Sequence, residues 1–216
     1  TGHPLPHIAT QVMLGHSLRE QGINELYPAE KKRWFVKTPA FSFAKLRGMD
    51  SYLSPEMKST GEAIGYDKSL KRALYKSLQA SGMTVANYGT IFVTIGDSDK
   101  SRALPLIRRF YMLGFNVEAT RGTAEFLRSN GIRTRLLRKL SEGSNEIIDS
   151  LRQGHVNYVI NTMELSADHS HRDGYHIRRA AVDNNITVFT SLETVEVLLD
   201  VLEDITMKVS TIDEED

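Results

Sequence analysis

The 216-residue sequence contains no cysteine, which excludes disulfide bonds and thiolate metal sites. Its 27 basic residues are balanced by 27 acidic residues, so no net charge attracts nucleic acid or an anionic membrane. No apolar run reaches the roughly 20 residues that span a bilayer, and no signal-peptide pattern opens the chain. These absences predict a cytoplasmic protein without a nucleic-acid or membrane partner.

Several patterns for catalysis or metal binding are also missing. The sequence has no glycine-rich Walker or Rossmann loop and no Ser-His-Asp arrangement. Asp97 and Asp99 imitate the start of a calcium-binding loop, but Arg102 stands where that loop requires glycine. A second group of potential ligands comprises His169, His171, His176, Asp168 and Asp173. Histidines in loops are more often solvated than metal-bound, so we expect no metal site.

The hydrophobic fraction of 40% is sufficient for a buried core. From Tyr88 onward, short β-branched or aromatic runs alternate with amphipathic helical patterns. The predicted strands are 91–95, 115–120, 134–137, 156–161 and 186–190, and helices follow them near 97, 123, 146, 175 and 192. Asp97 and Ser98 are predicted to cap the first of these helices. Five strands separated by helices predict a doubly wound parallel sheet with helices on both faces.

Residues 1–80 do not follow this alternation. We predict a helix at 8–14 that ends at Gly15, a loop over 48–65 and a helix over 68–78. Strand-like runs lie on either side of Pro39, which indicates either an edge strand or a break. This pattern does not close a core on itself, so we expect the end of a larger domain. The chain starts at Thr1 rather than methionine, which favours a fragment or a processed product. The predicted domains are therefore 1–80 and 81–216.

Ligands of open parallel sheets bind beyond the carboxyl ends of the strands. Hydroxyl, amide and ammonium groups recur at these ends, where helix N-termini also present N–H groups to an anion. The candidate phosphate contacts are Thr94, Lys100, Thr120, Gly122, Thr123, Lys139 and Asn161. The alternative is structural, since threonines suit strand ends and helix caps and lysines are usually solvated. The basic run over 133–139 fits the same two interpretations better than nucleic-acid binding, since no aromatic residues are interleaved with it.

Two strings in the first domain resemble the closing segment of the second ATP-grasp half of carbamoyl-phosphate synthase large subunits. They read FSFAKLRG at 41–48 and PEMKSTGE at 55–62, and the helix at 9–15 fits the same family. Ser54 departs from the glycine that family members usually carry before the proline. The resemblance places Glu56, Lys58 and Glu62 at the edge of an ATP site, although they can equally serve to pack the domain ends.

Three further strings resemble the regulatory domain that ends the same large subunit, a relative of methylglyoxal synthase. They read ATRGTA at 119–124, KLSEG at 139–143 and VINT at 159–162. The resemblance implies a pocket for a nucleoside monophosphate, formed by the seven candidate residues named above. Met163 departs from the hydroxyl residue frequent in relatives, and apolar Val188 and Phe189 replace an ornithine-binding stretch. The pattern over 173–179 is closer to members that respond to pyrimidine nucleotides, so we expect an effector similar to uridine monophosphate.

The resemblance also implies a parent enzyme, a ligase that uses ATP with Mg²⁺ or Mn²⁺. That enzyme makes carbamoyl phosphate from bicarbonate and glutamine-derived ammonia for pyrimidine and arginine synthesis. The implied partners are the remainder of the large subunit and the glutaminase small subunit, within an oligomer. We expect no catalysis and no cofactor in this fragment, because the family's metal-binding motif belongs upstream of Thr1.

Two other classes of function stay open. A methylglyoxal synthase-like lyase acting on a triose phosphate would use the same phosphate pocket, with His171 and Asp173 for proton transfer. Where that family carries a catalytic aspartate after two glycines, this sequence has only GSNE at 143–146. A purely structural domain would instead associate through the apolar face of the helix at 192–205 and would bind no nucleotide.

Overall fold

The computed structural model describes residues 3–25, 31–42, 51, 57–162 and 168–207; for 168–172 and 207 it describes the backbone alone. Tertiary contacts divide the chain into two compact units, 1–33 and 34–216. The first unit contains helix α1 (Leu5–Met13), which starts three residues earlier than predicted because Pro4 and Pro6 are tolerated around a first helical turn. Gly15 follows it with a φ of 97°, a left-handed conformation that suits glycine.

The second unit begins with an antiparallel hairpin of β1 (Trp34–Ala40) and β2 (Gly61–Asp67). Pro39 lies within β1, so of the two expected alternatives the edge strand is confirmed, whereas the expected loop over 48–65 is wrong at its end, which belongs to β2. Proline is tolerated because both strands of a two-stranded sheet are edge strands. The family assignment of residues 1–80 and the boundary after residue 80 stay predictions.

Helix α2 (Leu70–Ala80) packs on one face of this hairpin. Gly65 allows the contact, since a Cβ atom at this position would lie 2.1 Å from the carbonyl oxygen of Ala73 and 2.4 Å from the amide nitrogen of Ser77. The hydroxyl of Thr38 donates to Ser77 Oγ over 2.7 Å and ties β1 to the same helix. The two glycines of β2, Gly61 and Gly65, are typical of a loop in the sequence, but Gly65 is needed for the packing of α2 on the hairpin.

The remaining elements form the predicted α/β domain. Its strands are β3 (Thr90–Thr94), β4 (Asn116–Thr120), β5 (Arg135–Leu137), β6 (Val156–Asn161) and β7 (Thr187–Phe189). Its helices are α3 (Lys100–Met112), α4 (Arg121–Ser129), α5 (Glu146–Arg152), α6 (Asp168–Asp183) and α7 (Leu192–Met207). All neighbouring strands are parallel, in the order β5-β4-β3-β6-β7. The predicted five-stranded sheet is confirmed.

Both faces of the sheet are covered by helices. Ile91 and Val93 of β3 belong to one buried cluster, whereas Phe92 between them belongs to a second cluster on the other face, as the alternation of side chains along a strand requires. In α3 the buried stripe consists of Ala103, Leu106, Ile107 and Phe110, whereas Tyr111 is 40% exposed.

The strand order fixes where a ligand site is expected. The chain leaves β3 toward β4 and β5 and later returns to β6 on the other side of β3. Connections therefore diverge at the carboxyl ends of β3 and β6, which is the position where open α/β sheets form a ligand-binding crevice.

Candidate functional site

Three strand ends are joined directly at this crevice. The backbone N–H of Thr162, which follows β6, donates to the carbonyl oxygen of Thr94 over 3.1 Å. The hydroxyl of Thr120, at the end of β4, lies 3.4 Å from Thr94 Oγ1 and donates to it. Thr94, Thr120 and Asn161 therefore end neighbouring strands at a single edge, as the sequence predicted.

Two threonine hydroxyls also hold the loop that follows β3. The N–H of Ile95 donates to Thr123 Oγ1 over 3.2 Å, and the N–H of Gly96 donates to Thr162 Oγ1 over 3.0 Å. Both hydroxyls act as acceptors in these bonds, and a hydroxyl in that role still carries a hydrogen to donate. Thr123 thus has a structural function in addition to any contact with a ligand.

Helix α4 begins at Arg121, directly after β4. Thr120 is its N-cap residue, with extended backbone and no side-chain capping bond. The first N–H groups of a helix have no acceptor within the helix and favour an anion in front of them. Gly122 lies in the first turn of α4, and a Cβ atom there would lie 3.7 Å from Lys100 Nζ. The ammonium group of Lys100 therefore stands beside the N-terminus of α4.

Lys100 is the first residue of α3, and its side chain is 20% exposed. Its Nζ lies 2.5 Å from Asp97 Oδ1 and 5.9 Å from the centre of the Phe126 ring. The hydrogen bond from Lys100 lowers the pKa of the Asp97 carboxyl below its ordinary value, and the positive charges of Lys100 and Lys139 lower it further. Lys100 and Lys139 thus act on one carboxylate although 39 positions separate them in sequence.

Lys139 belongs to the basic run over 133–139, in which two arginines have carboxylate partners. Arg135 forms an ion pair with Glu118 over 3.0 Å, and Arg138 NH2 lies 2.5 Å from Glu146 Oε1. The Glu146 contacts raise the pKa of Arg138 above its ordinary value. Two of the run's arginines therefore neutralise carboxylates of this chain. Lys139 is for this reason a better candidate for a phosphate contact than the run as a whole.

Asn161 is buried at the end of β6 and accepts a bond that the sequence did not predict. Arg178 of α6, only 2% exposed, donates from NH1 to Asn161 Oδ1 over 2.6 Å. Gly174 faces this pair, since a Cβ atom at that position would lie 3.0 Å from Arg178 NH1. The sequence did contain a signal: Arg178 shares a buried helical stripe with Gly174, Ile177 and Ala181. A charged residue on such a stripe indicates a specific buried partner.

The N-terminal part of α6 also contacts the turn that follows Lys139. The hydroxyl of Ser141 donates to Asp173 Oδ2 over 2.7 Å, and its N–H lies 3.4 Å from the same atom. Asp173 was a candidate for proton transfer or metal binding, and its carboxylate is instead engaged by this turn. Within the described part of the chain, no three side chains of the metal-ligating types are close enough to hold an ion. The side chains of Asp168, His169 and His171 lie outside the described residues, as does Met163.

Of the residues expected at the edge of an ATP site, Glu62 belongs to the hairpin. Glu62 of β2 forms an exposed ion pair with Lys37 of β1 over 2.6 Å. Lys58 is half-buried, and Glu56 lies outside the described residues. This cross-strand ion pair fits a role of Glu62 in packing the domain. The position of these residues at the edge of an ATP site stays a prediction.

The described part of the chain includes no helix with the length and apolar character needed to cross a membrane.

Residues 102–190 match the family model described as the MGS-like domain. The match extends from α3 to the end of β7 and includes Thr120, Gly122, Thr123, Lys139 and Asn161, whereas Thr94 and Lys100 lie just before it. Among solved structures, the chain is similar to the crystal structure of methylglyoxal synthase from Elizabethkingia anophelis NUHP1. The identity is 14% and the TM-score 0.42, with 53% of this chain and 79% of that chain covered.

Proposed function

We propose that the MGS-like domain binds a nucleoside monophosphate as an allosteric effector, with uridine monophosphate as the first candidate. The observation that carries the proposal is the position of Lys100 Nζ beside Gly122 at the N-terminus of α4, where Thr94, Thr120 and Asn161 end neighbouring strands. Two ammonium groups, helix N–H groups and threonine hydroxyls are the donors that a phosphate group requires. The resemblance to the regulatory domain of carbamoyl-phosphate synthase, described above, also implies a ligand of this kind.

In the proposed complex, the phosphate group lies in front of Gly122 and Thr123 and receives bonds from both lysines. Asn161, oriented by Arg178, faces the ribose side of the crevice. The ribose hydroxyls are neutral donors and acceptors, and a side-chain amide can serve both functions. The deepest contact of the nucleotide would thus depend on a buried arginine that does not itself reach the ligand.

The wider setting of the proposal rests on the resemblance of residues 41–62 alone. It places this domain at the end of a carbamoyl-phosphate synthase large chain that works with a glutaminase subunit in the cytoplasm. The ATP and divalent metal of that enzyme would be bound by the remainder of the large subunit. Effector binding would then change the rate of carbamoyl phosphate formation, and the domain itself would not catalyse.

Isothermal titration calorimetry of the 216-residue chain with uridine monophosphate tests the proposal. We expect saturable binding with one site per chain. Lys139→Ala should weaken it by on the order of 1.5–3 kcal/mol, since one charge-assisted bond to the phosphate is lost. Lys71→Ala, at an exposed position of α2, is the matched control and should bind as the wild type does. Equal affinities of the two variants would contradict the assignment of the site.

A methylglyoxal synthase-like lyase is the second candidate, because Asp173 lies on the helix that borders the crevice. Proton abstraction requires a carboxylate that is close to the substrate and accessible. The Asp173 carboxylate accepts a hydrogen bond from Ser141, and the Glu146 carboxylate accepts one from Arg138. Neither carboxylate is therefore accessible in the way that a catalytic base requires. Incubation with dihydroxyacetone phosphate discriminates between the candidates: formation of methylglyoxal and inorganic phosphate would favour the lyase.

A further inference from the structure

The candidate anion site contains an acidic side chain. Asp97 Oδ1 lies 2.5 Å from Lys100 Nζ, and the same ammonium group is adjacent to Gly122 at the start of α4. A carboxylate oxygen of the chain therefore already forms an ion pair with the ammonium group that a bound phosphate would contact. In a site built for an anion this arrangement weakens binding, so it calls for a physical reason.

A structural reason for Asp97 is weak. The sequence predicts it as a helix cap, but neither the 3₁₀ turn Asp97–Asp99 nor α3 has a side-chain capping bond. The Asp97 side chain is 75% exposed, so it contributes little to packing. Because Asp97 is largely in solvent, its carboxylate is hydrated when it leaves Lys100, and the pair opens at little cost once another anion replaces it. The bond between Asp97 and Lys100 is thus exchangeable.

We propose that Asp97 is an internal counter-ion, which holds Lys100 in the free protein and competes with the phosphate group of the ligand for it. Binding then exchanges one anion for another: the carboxylate leaves Lys100 and the phosphate oxygen replaces it. This inference rests on the proposed function, because it assumes that the site binds a phosphate group. It adds that the chain limits its own affinity through one residue.

Such competition has two consequences. The affinity stays moderate, which allows an effector to dissociate when its concentration falls. Lys100 is also neutralised between binding events, so its partly buried ammonium group is never without a counter-ion. Asp97 is therefore an affinity-determining residue, distinct from the groups that contact the ligand.

The test measures dissociation constants for uridine monophosphate and for inorganic phosphate by calorimetry. Asp97→Asn keeps the shape of the side chain and removes its charge, and we expect on the order of threefold to tenfold tighter binding of both probes. Asp99→Asn is the matched control, because Asp99 carries the same charge two positions away and faces Arg102 at 3.9 Å. It should change affinity by less than about twofold, because its carboxylate faces Arg102 and not Lys100.

A double-mutant cycle identifies the mechanism. If Asp97 acts by holding Lys100, the gain from Asp97→Asn disappears in a Lys100→Met background. A gain that persists there would overturn competition for Lys100, because it would show simple repulsion of the ligand. Unchanged affinity of Asp97→Asn would also overturn it, while leaving the proposed function intact. Absence of binding in every variant, with all variants folded by circular dichroism, would instead refute the proposed function.

Discussion

Two carboxylates of the α/β domain, Glu118 and Asp97, are held in opposite ways. Glu118 is on β4 with its side chain 5% exposed, and it contacts Ser150 Oγ at 2.5 Å, Arg135 NH1 at 3.0 Å and His155 Nε2 at 3.2 Å. Asp97 is 75% exposed and has its close contact with a single lysine. The number of partners and the burial together distinguish a carboxylate that fixes the fold from one that can exchange its partner.

The physical reason is the cost of burying charge. An ionised carboxylate leaves water only where several donors replace its hydration, and removal of such donors is strongly destabilising. The three partners of Glu118 come from β5, α5 and the segment before β6, so this one side chain joins distant parts of the sheet. Asp97 remains hydrated and links residues within one loop, so its loss should affect ligands rather than folding.

The largest expected effect is at Glu118. Glu118→Ala should lower the free energy of unfolding by about 2–3 kcal/mol, because the buried hydroxyl of Ser150 loses its acceptor and the packing of β4 is disturbed. The value is below the upper range for buried ion pairs, since Arg135 is 66% exposed and can return to solvent. Chemical denaturation followed by circular dichroism measures it. Glu125→Ala, an exposed position of α4, should change the same quantity by less than about 0.5 kcal/mol.

A third carboxylate, Glu203 of α7, is intermediate between these extremes. Its side chain is 31% exposed, and it accepts a bond of 2.7 Å from Nε of Arg109 in α3. That bond lowers the pKa of Glu203, while burial opposes the shift. A lowered carboxyl pKa stabilises the fold above the unfolded-state pKa, and this contribution is lost as the pH falls through the folded-state value.

The melting temperature should therefore respond to this pair in a pH-dependent way. Arg109→Met should melt below the wild type at pH 7, and the difference should shrink as the pH is lowered from about 5 toward 3. Thermal unfolding over this pH range provides the measurement. Arg108→Met is the control, because Arg108 donates to a backbone carbonyl, that of Asn130, rather than to a carboxylate. A difference that grew toward acid pH would show that the Arg109–Glu203 bond does not stabilise the fold.

The sequence was sufficient for the α/β domain because its three central strands, β3, β4 and β6, are mostly buried. Runs such as 91–95 have the β-branched and aromatic composition of buried strands, and glycines such as Gly114 mark helix ends by their positive φ of 91°. The hairpin was harder, since β2 contains Gly61 and Gly65. The need for Gly65 arises from the backbone of α2, a tertiary contact that local patterns do not contain.

For the site, the sequence supplied the residue types but not their partners. The threonines and Asn161 could be placed at strand ends from the chain direction alone. The convergence of Lys100 and Lys139 depends on the strand order, which brings β3 and β5 to either side of β4. The charge of Asp97 was interpreted as a helix cap because capping is a local function. Its pairing with Lys100 depends on how the 3₁₀ turn directs both side chains.

The smallest expected effect is the ionisation of Asp97 itself. Lys100 lowers the pKa of Asp97 by a hydrogen bond and by its charge, whereas Lys139 contributes its charge alone. Lys100→Met should therefore raise the pKa of Asp97 toward its ordinary value, and Lys139→Met should raise it by less. Carboxyl ¹³C resonances followed by NMR during an acid titration give both values. A larger shift in Lys139→Met would mean that Lys139, rather than Lys100, is the principal partner of this carboxylate, and the exchange of anions at Lys100 would lose its basis.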